Sequence, residues 1–486
     1  MAIRLNQPQS KLIDFAELLF KVLLLLFGFL EICNVTYGTK ILSLVLWPTV
    51  ALGALLVLYR ILRFRHYIGS CGILFMVAFG ASFVLSMFMN RNYGQYENFT
   101  TLIIIALQFC VLYLYDAEKP SEYYRKQFHI LAVIYNIGIA AMSIASFVQM
   151  AVGYNKVTPQ EVGPQIVEGF IWGRLFGVYW DPNIGSVMAC VAIVISLYYA
   201  MHKNSKKIFR VLFGFNAVLQ FVYIVFSDSR TGRLCLMTSF LVFVFTRLLY
   251  SNNIKKIKIA WKRTVSVVAI TIVAVTVVAV LPVGIKYTYN VAISSISSSA
   301  PEEKPDDTND LKLDRSQDYS EDITNRRSSI WKSGFEIFKT TPVYGTSYRC
   351  IVAYAKDHTP NTYILTNDYM VFSSMHNLYM DILVGQGVIG LLIFLALGAW
   401  IALYIFRNLR YVLPKDKNFF MLMLTCVVAA VTCTVVITEL IYVKSPTSTM
   451  FWVVLGYMSH YVSTHAPKKN KQSENQKEIP VNAQNQ

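Results

Sequence analysis

The sequence predicts an all-α integral membrane protein with about twelve transmembrane helices and one large extracytoplasmic loop. Three observations lead there. Of the 486 residues, 55% are hydrophobic and 15% charged, and the mean hydropathy is +0.46, whereas a soluble domain is about 25% charged. Apolar stretches of about 20 residues, the length that crosses the hydrocarbon core of a bilayer, recur along nearly the whole chain. The basic residues are distributed between the intervening segments with a strong bias.

In chain order, spans are expected near 15–33, 40–59, 67–89, 98–115, 128–150, 183–201, 209–227, 232–250, 264–285, 378–406, 418–442 and 447–464. Lys21 lies inside the first and no small-residue cleavage site follows it, so that span reads as an uncleaved helix rather than a signal peptide. With both termini in the cytoplasm, the inside segments hold 26 of the 44 Lys and Arg, against seven in the short outside loops, ten in the long loop and one within a span. This is the positive-inside bias. The net charge of +16 is therefore a topology signal, and nucleic acid is not an expected partner.

Within a membrane domain spanning 1–465, residues 286–375 form the large outside loop, and 466–486 form a polar cytoplasmic tail with a disordered composition. Residues 301–322 carry nine acids and almost nothing apolar, which predicts a mobile, solvated tip. After it, Trp331, Phe335 and Phe338 recur at helical spacing. They predict an amphipathic helix over 327–339 lying across the outer face, ended by Thr341-Pro342 and Gly345.

Cysteine and histidine set limits on the chemistry. Seven of the eight cysteines lie in or beside predicted spans and only Cys350 is in the long loop, so neither a disulfide framework nor a CxxC site is available. His358 and His376 are the outward-facing histidines; they stand 18 residues apart with no partner at zinc-ligand spacing, so no metal site is expected. His376 is followed by Asn377 and then by Gly387 and Gly390 at the mouth of span ten, where a histidine can move a proton near neutral pH and the glycines would let another helix pack closely.

The outside arginines are the second group. Arg174 stands in the loop before span six, Arg230 and Arg233 at the turn between spans seven and eight, and Arg326 and Arg327 at the start of the loop helix. Arginine on this side runs against the charge bias, and its planar fork binds phosphate oxygens bidentately. Any one of them is explained as well by a lipid head group or a neighbouring acid such as Asp228, and His376 alone reads as a hydrogen-bonded interfacial histidine. Together they suit a lipid-linked pyrophosphate.

Taken in order, Asp181-Pro182-Asn183, Ser229-Arg230-x-Gly232, Arg327-x-x-x-Trp331 leading to Pro342-x-x-Gly345, and His376-Asn377 followed by Gly387-x-x-Gly390 resemble the O-antigen ligase/polymerase family over roughly residues 170–390. The resemblance implies a GT-C-like architecture and a metal-independent membrane glycosyltransferase with no cofactor, working in the cytoplasmic (inner) membrane of a bacterium with its catalytic face outside. The implied partners are a polyprenyl-pyrophosphate-linked oligosaccharide, the bilayer, and a chain-length regulator and flippase of the same pathway. The implied roles are His376 as general base, Asn377 orienting acceptor or imidazole, and Arg230, Arg327, Arg174, Arg326 and Arg233 binding the donor pyrophosphate. Gly387, Gly390, Asp181, Asn183, Trp331 and Gly345 would be structural. Asp381 is too deep in the span to be given a role.

The Lys-, Ile-, Asn- and Tyr-rich composition ranks a capsule, exopolysaccharide or O-antigen polymerase ahead of a ligase that transfers glycan to a lipid core. A flippase of lipid-linked sugars is a different class. It would need charged residues near the centres of several spans, and Lys21 stands as a lone exception in this sequence.

Overall fold

The computed structural model describes residues 11–159, 165–202, 205–249, 259–297, 311–314, 326–367 and 370–467. Each predicted apolar stretch contains a helix, but the stretch 418–442 is helical only as far as Cys433. The helices are α1 (Lys11–Ile32), α2 (Lys40–Leu62), α3 (Ile73–Met89), α4 (Tyr96–Leu107), α5 (Ser121–Ala151), α6 (Pro182–Met201), α7 (Lys207–Phe226), α8 (Arg230–Leu249) and α9 (Ala260–Ser297). They continue with α10 (Arg327–Thr340), α11 (Ile351–His358), α12 (Leu378–Asn408), α13 (Lys417–Cys433) and α14 (Pro446–His465). A π-turn over Gln108–Tyr113 extends α4.

Among the described residues, eight helices are long and apolar enough to cross a membrane, as expected of an α-helical membrane protein. α3 and α13 are apolar but shorter, at 17 residues each. The first and last predicted spans, α1 and α14, are not among the eight.

Lys21 is not a lone exception. Its ammonium lies 2.7 Å from Glu17 and donates to Gln127 at 2.9 Å and to the Tyr457 hydroxyl at 3.0 Å, while Arg60 from α2 lies 2.8 Å from the other Glu17 oxygen. Arg60 also donates to the carbonyls of Cys110 and Leu114. Burying one such charge unpaired would be prohibitive, whereas a hydrogen-bonded set is tolerated. The cluster ties α1, α2, α5 and α14 together.

The fold is not wholly helical. Ahead of α6, β1 (Asn155–Thr158), β2 (Ile166–Ile171) and β3 (Arg174–Gly177) form an antiparallel sheet. Its strands are four to six residues long, so their alternation is hidden among longer helical periods. β3 carries Arg174, which the sequence placed in a loop. Gly169 (φ +83°) sits beside the register shift between β2 and β3, where a side chain would run into the Tyr154 carbonyl.

Most of the acidic 301–322 stretch and the tail from 468 lie outside the described residues. Residues 311–314 are described; Leu313 anchors them, while Asp314 is exposed. Leu313 is buried, and its backbone N–H and carbonyl both pair with the Asn290 side chain of α9 at 2.9 Å. One leucine is enough to find a core when an amide side chain satisfies its peptide groups.

The loop helix α10 buries a different face from the one expected. Ile330, Ser333, Gly334 and Ile337 are buried, whereas Phe335 is 49% exposed and Trp331 and Phe338 are intermediate. The small residues face inward because the loop carrying Met375 lies against them; a Cβ on Gly334 would stand 2.9 Å from the Met375 sulfur.

Gly387 has a different purpose from close helix packing. At φ +65°, ψ −169° it breaks α12, in a region of backbone space that is essentially glycine-only. The segment 342–347 fills the break. Val388 N–H donates to the Pro342 carbonyl at 2.9 Å, and Thr346 and Ser347 N–H donate to the Val384 and Gly385 carbonyls at 2.9 Å. Ser86 of α3 donates to the Gly385 carbonyl at 2.7 Å, and Asn90 to the Gly345 carbonyl at 2.8 Å. The orphan groups of two helix ends are thereby satisfied. Gly345 (φ +70°) allows this approach, since a Cβ there would be 2.5 Å from Gln386 N. Gly390 leaves room for the Gln386 side chain one turn earlier, which accepts from Ser82 at 2.7 Å and donates to Tyr442. A loop, not a second helix, packs on Gly387, and Gly390 makes room for a side chain of its own helix.

Candidate functional site

His376 immediately precedes the N-cap of α12. Asn377 is that cap: its Oδ1 accepts from Tyr379 N–H at 2.9 Å and Met380 N–H at 3.1 Å, and its Nδ2 donates to the Val435 carbonyl at 2.9 Å. The side chain expected to orient acceptor or imidazole is thus committed to backbone. Asn is a strong cap because its oxygen satisfies N–H groups that the helix cannot.

His376 itself adopts φ +49°, a left-handed conformation that costs a non-glycine residue about 1–2 kcal/mol. The surroundings enforce it. Asp381, one turn into α12 and buried, accepts from Met375 N–H at 2.7 Å, from Ser374 Oγ at 2.8 Å and from Thr438 Oγ1. His376 N–H donates back to Ser374 Oγ at 3.1 Å, and the Trp331 indole of α10 donates to the Met375 carbonyl at 3.1 Å. The acid that the sequence left without a role is the anchor of the histidine loop. The imidazole packs edge-on against Phe372 at 5.8 Å.

Burial pushes His376 below the ordinary imidazole value of 6.5; the Asp181 carboxylate raises it and the Arg327 guanidinium lowers it. Asp181, Arg327 and His376 are therefore brought within electrostatic reach of one another from three distant parts of the chain.

Asp181 caps α6, accepting from Asn183 N–H at 2.7 Å. Asn183 then links this corner to the second cluster by accepting from Ser229 Oγ at 2.8 Å, immediately before Arg230 at the start of α8. Ser229 Oγ also accepts from Gly232 N–H at 3.0 Å, and a Cβ on Gly232 would overlap Ser186 of α6. Arg174 reaches the same turn from β3, its Nε donating to the Ser227 carbonyl at 2.9 Å. Asp228 lies 2.7 Å from Lys286 of α9 and 3.5 Å from Arg233. Lys286 is a cation that sequence reasoning had not singled out.

Six non-glycine residues have positive φ among the described residues, and four of them border these groups: Trp172, Asp228, Arg326 and His376. Trp172, Asp228 and Arg326 each lie one or two residues before a candidate arginine. Clustered backbone strain of this kind is found where a site is held in place by its surroundings. Arg326 takes the N-cap position of α10, so Arg327 is the first residue of that helix.

The chemical capacity of this arrangement is a partly buried imidazole that burial holds low, within electrostatic reach of the Asp181 carboxylate and near several cations. Residues 215–395 match a family model described as O-antigen ligase. The match takes in Arg230, Arg233, Arg326, Arg327, Trp331, Gly345, His376, Asn377, Gly387 and Gly390, and leaves Arg174, Asp181 and Asn183 before it. No curated protein matches the chain.

Proposed function

With residues 215–395 carrying the domain of the O-antigen ligase family of membrane glycosyltransferases, we propose that the protein is a polysaccharide polymerase. It transfers glycan from a polyprenyl-pyrophosphate-linked oligosaccharide to an acceptor sugar hydroxyl at the outer face of the cytoplasmic membrane, in a pathway with its own flippase and chain-length regulator. The observation that carries this reading is the enforced placement of a neutral His376 within reach of Asp181 and Arg327. Nothing in a bland interfacial histidine calls for a left-handed backbone held by a buried acid and an indole.

In the proposed reaction the acceptor oxygen attacks the anomeric carbon and its proton passes to His376. The new glycosidic C–O bond forms as the C–O bond to pyrophosphate breaks, and the electron pair leaves on the pyrophosphate oxygen. Arg230 and Arg327, with Arg174, Arg326 and Arg233 around them, stabilise that developing charge. A depressed imidazole value suits a base, because the ring is already unprotonated near neutral pH. Asn377 and Asp381 act as positioning residues. The arginines take the role a metal ion plays in other transferases, so transfer should persist in chelator.

Purified protein supplied with lipid-linked repeat unit, resolved as a ladder by gel, tests the reading. Chain extension by the wild type and none by His376→Ala supports it; extension by His376→Ala overturns it. A ligase uses the same chemistry with a lipid-core acceptor. Supplying both acceptors in competition separates the two, because a ligase leaves the repeat unit unextended.

A further inference from the structure

Beneath the His376 loop lies a cavity of about 450 Å³ between α12, α13 and α14. We infer that this groove holds the isoprenoid chain of the lipid-linked donor, an assignment that rests on the donor class proposed above. Three helical stripes build it. Phe394, Leu397, Gly398, Ile401, Ala402 and Ile405 line it from α12 at the spacing of one helix face. Leu424, Val427, Val428 and Val431 do so from α13, and Phe451, Trp452, Leu455 and Met458 from α14.

No charged residue is in the lining, and its polar groups are already used. Thr432 and Thr434 donate to the carbonyls one turn back, and the Trp452 indole donates to the Leu440 carbonyl at 2.7 Å. Such a wall offers dispersion contacts and nothing for a head group.

Continuity with the candidate site selects the occupant. The upper end of the groove is made by Leu378 and Tyr379, which directly follow His376-Asn377, and by Thr434, whose carbonyl receives the Leu378 N–H at 2.9 Å. Below the break at Gly387, the α12 lining from Phe394 to Ile405 rises roughly 17 Å, about the depth of one leaflet; the Tyr379 ring lies 6.4 Å from that of Phe394, so the upper end adjoins this stretch. A chain lying there keeps its pyrophosphate level with His376. Leu395 and Phe406, 46% and 61% exposed, line the groove on the side open to the bilayer, so a lipid can enter laterally. At mid-depth a Cβ on Gly398 meets nothing within 4 Å, so space for the chain is present there.

The experiment uses the full-length protein in nanodiscs with a diazirine-tagged polyprenyl pyrophosphate, photo-crosslinked and mapped by mass spectrometry. Capture on peptides containing Phe394–Ile405 or Leu424–Val431, competed by unlabelled polyprenyl phosphate and not by phosphatidylglycerol, is expected. Gly398→Trp should reduce capture by at least about tenfold, the loss of ~1.4 kcal/mol of apolar burial, and raise KM for a long-chain donor while leaving a short-chain donor unaffected. Gly214→Trp, also at an open glycine but on α7, should leave capture unchanged. Capture elsewhere, equal competition by phosphatidylglycerol, or full capture by Gly398→Trp would each overturn the assignment. The readout needs no transfer: if His376→Ala still extended chains, the base would fall and the groove would stand.

Discussion

Removing the Asp381 carboxyl isolates the part of the site that acts only through position. In Asp381→Ala the Met375 N–H, the Ser374 hydroxyl and the Thr438 hydroxyl all lose their acceptor. At about 1 kcal/mol per hydrogen bond the three amount to about 3 kcal/mol, and the left-handed strain at His376 then opposes the native loop unrestrained. Each 1.36 kcal/mol is tenfold, so the competent loop population, and with it kcat, should fall on the order of 100-fold. Asp381→Asn keeps one acceptor oxygen for Met375 and lets its amide donate to a hydroxyl, so it should lose about 1 kcal/mol, roughly fivefold. The assay pairs transfer kinetics on lipid-linked repeat unit with hydrogen exchange at the Met375 amide in nanodiscs. Faster Met375 exchange and slower transfer, graded Ala above Asn, are expected. Wild-type transfer by Asp381→Ala together with fast Met375 exchange would refute the link between loop order and catalysis.

The remaining predictions concern charge, backbone and metal. The acid limb of kcat/KM should lie below pH 6.5, because His376 is held low and only its neutral form accepts the proton. Arg327→Gln removes a charge that lowers it and should move the limb to higher pH, while Asp181→Asn should move it to lower pH; limbs that stay in place in both would separate these residues from His376. Arg230→Ala should weaken donor use by about 1–3 kcal/mol, seen as a lower kcat/KM. Gly387→Ala should destabilise the protein by about 1–3 kcal/mol from backbone strain alone, and more because its Cβ meets the Val343 carbonyl; thermal unfolding in detergent checks this. Transfer should survive EDTA, and its loss on chelation would refute the arginine-only stabilisation of the leaving group.

The legible parts of this protein are those governed by local pattern. Apolar runs dictate helices wherever the backbone has no water to bond to, so the eight membrane-length helices among the described residues could be read directly. The periods of Trp331, Phe335 and Phe338 marked α10, yet its buried face is Ile330, Ser333, Gly334 and Ile337, because what lies opposite is Met375, 38 residues or more away in the chain. The strands of 155–177 were missed since four to six residues do not establish a period. Glu17 stands one turn before Lys21 on α1, whereas Arg60, Gln127 and Tyr457 complete the cluster only once α2, α5 and α14 pack against α1.

Composition and residue types decided that this chain is a multi-pass membrane protein, and they singled out His376, the arginines at 174, 230, 233, 326 and 327, and Gly387-x-x-Gly390, because hydropathy and the chemistry of imidazole, guanidinium and glycine are properties of single residues. What each does was decided by tertiary contacts across the chain. Asp381 holds the histidine loop, Asn377 caps a helix, Asp181 and Arg327 act in opposite senses on one imidazole, and Gly387 breaks a helix for the 342–347 segment to fill. Hydrogen bonds and fields act over a few ångströms, and only folding brings residues 181, 327 and 376 that close.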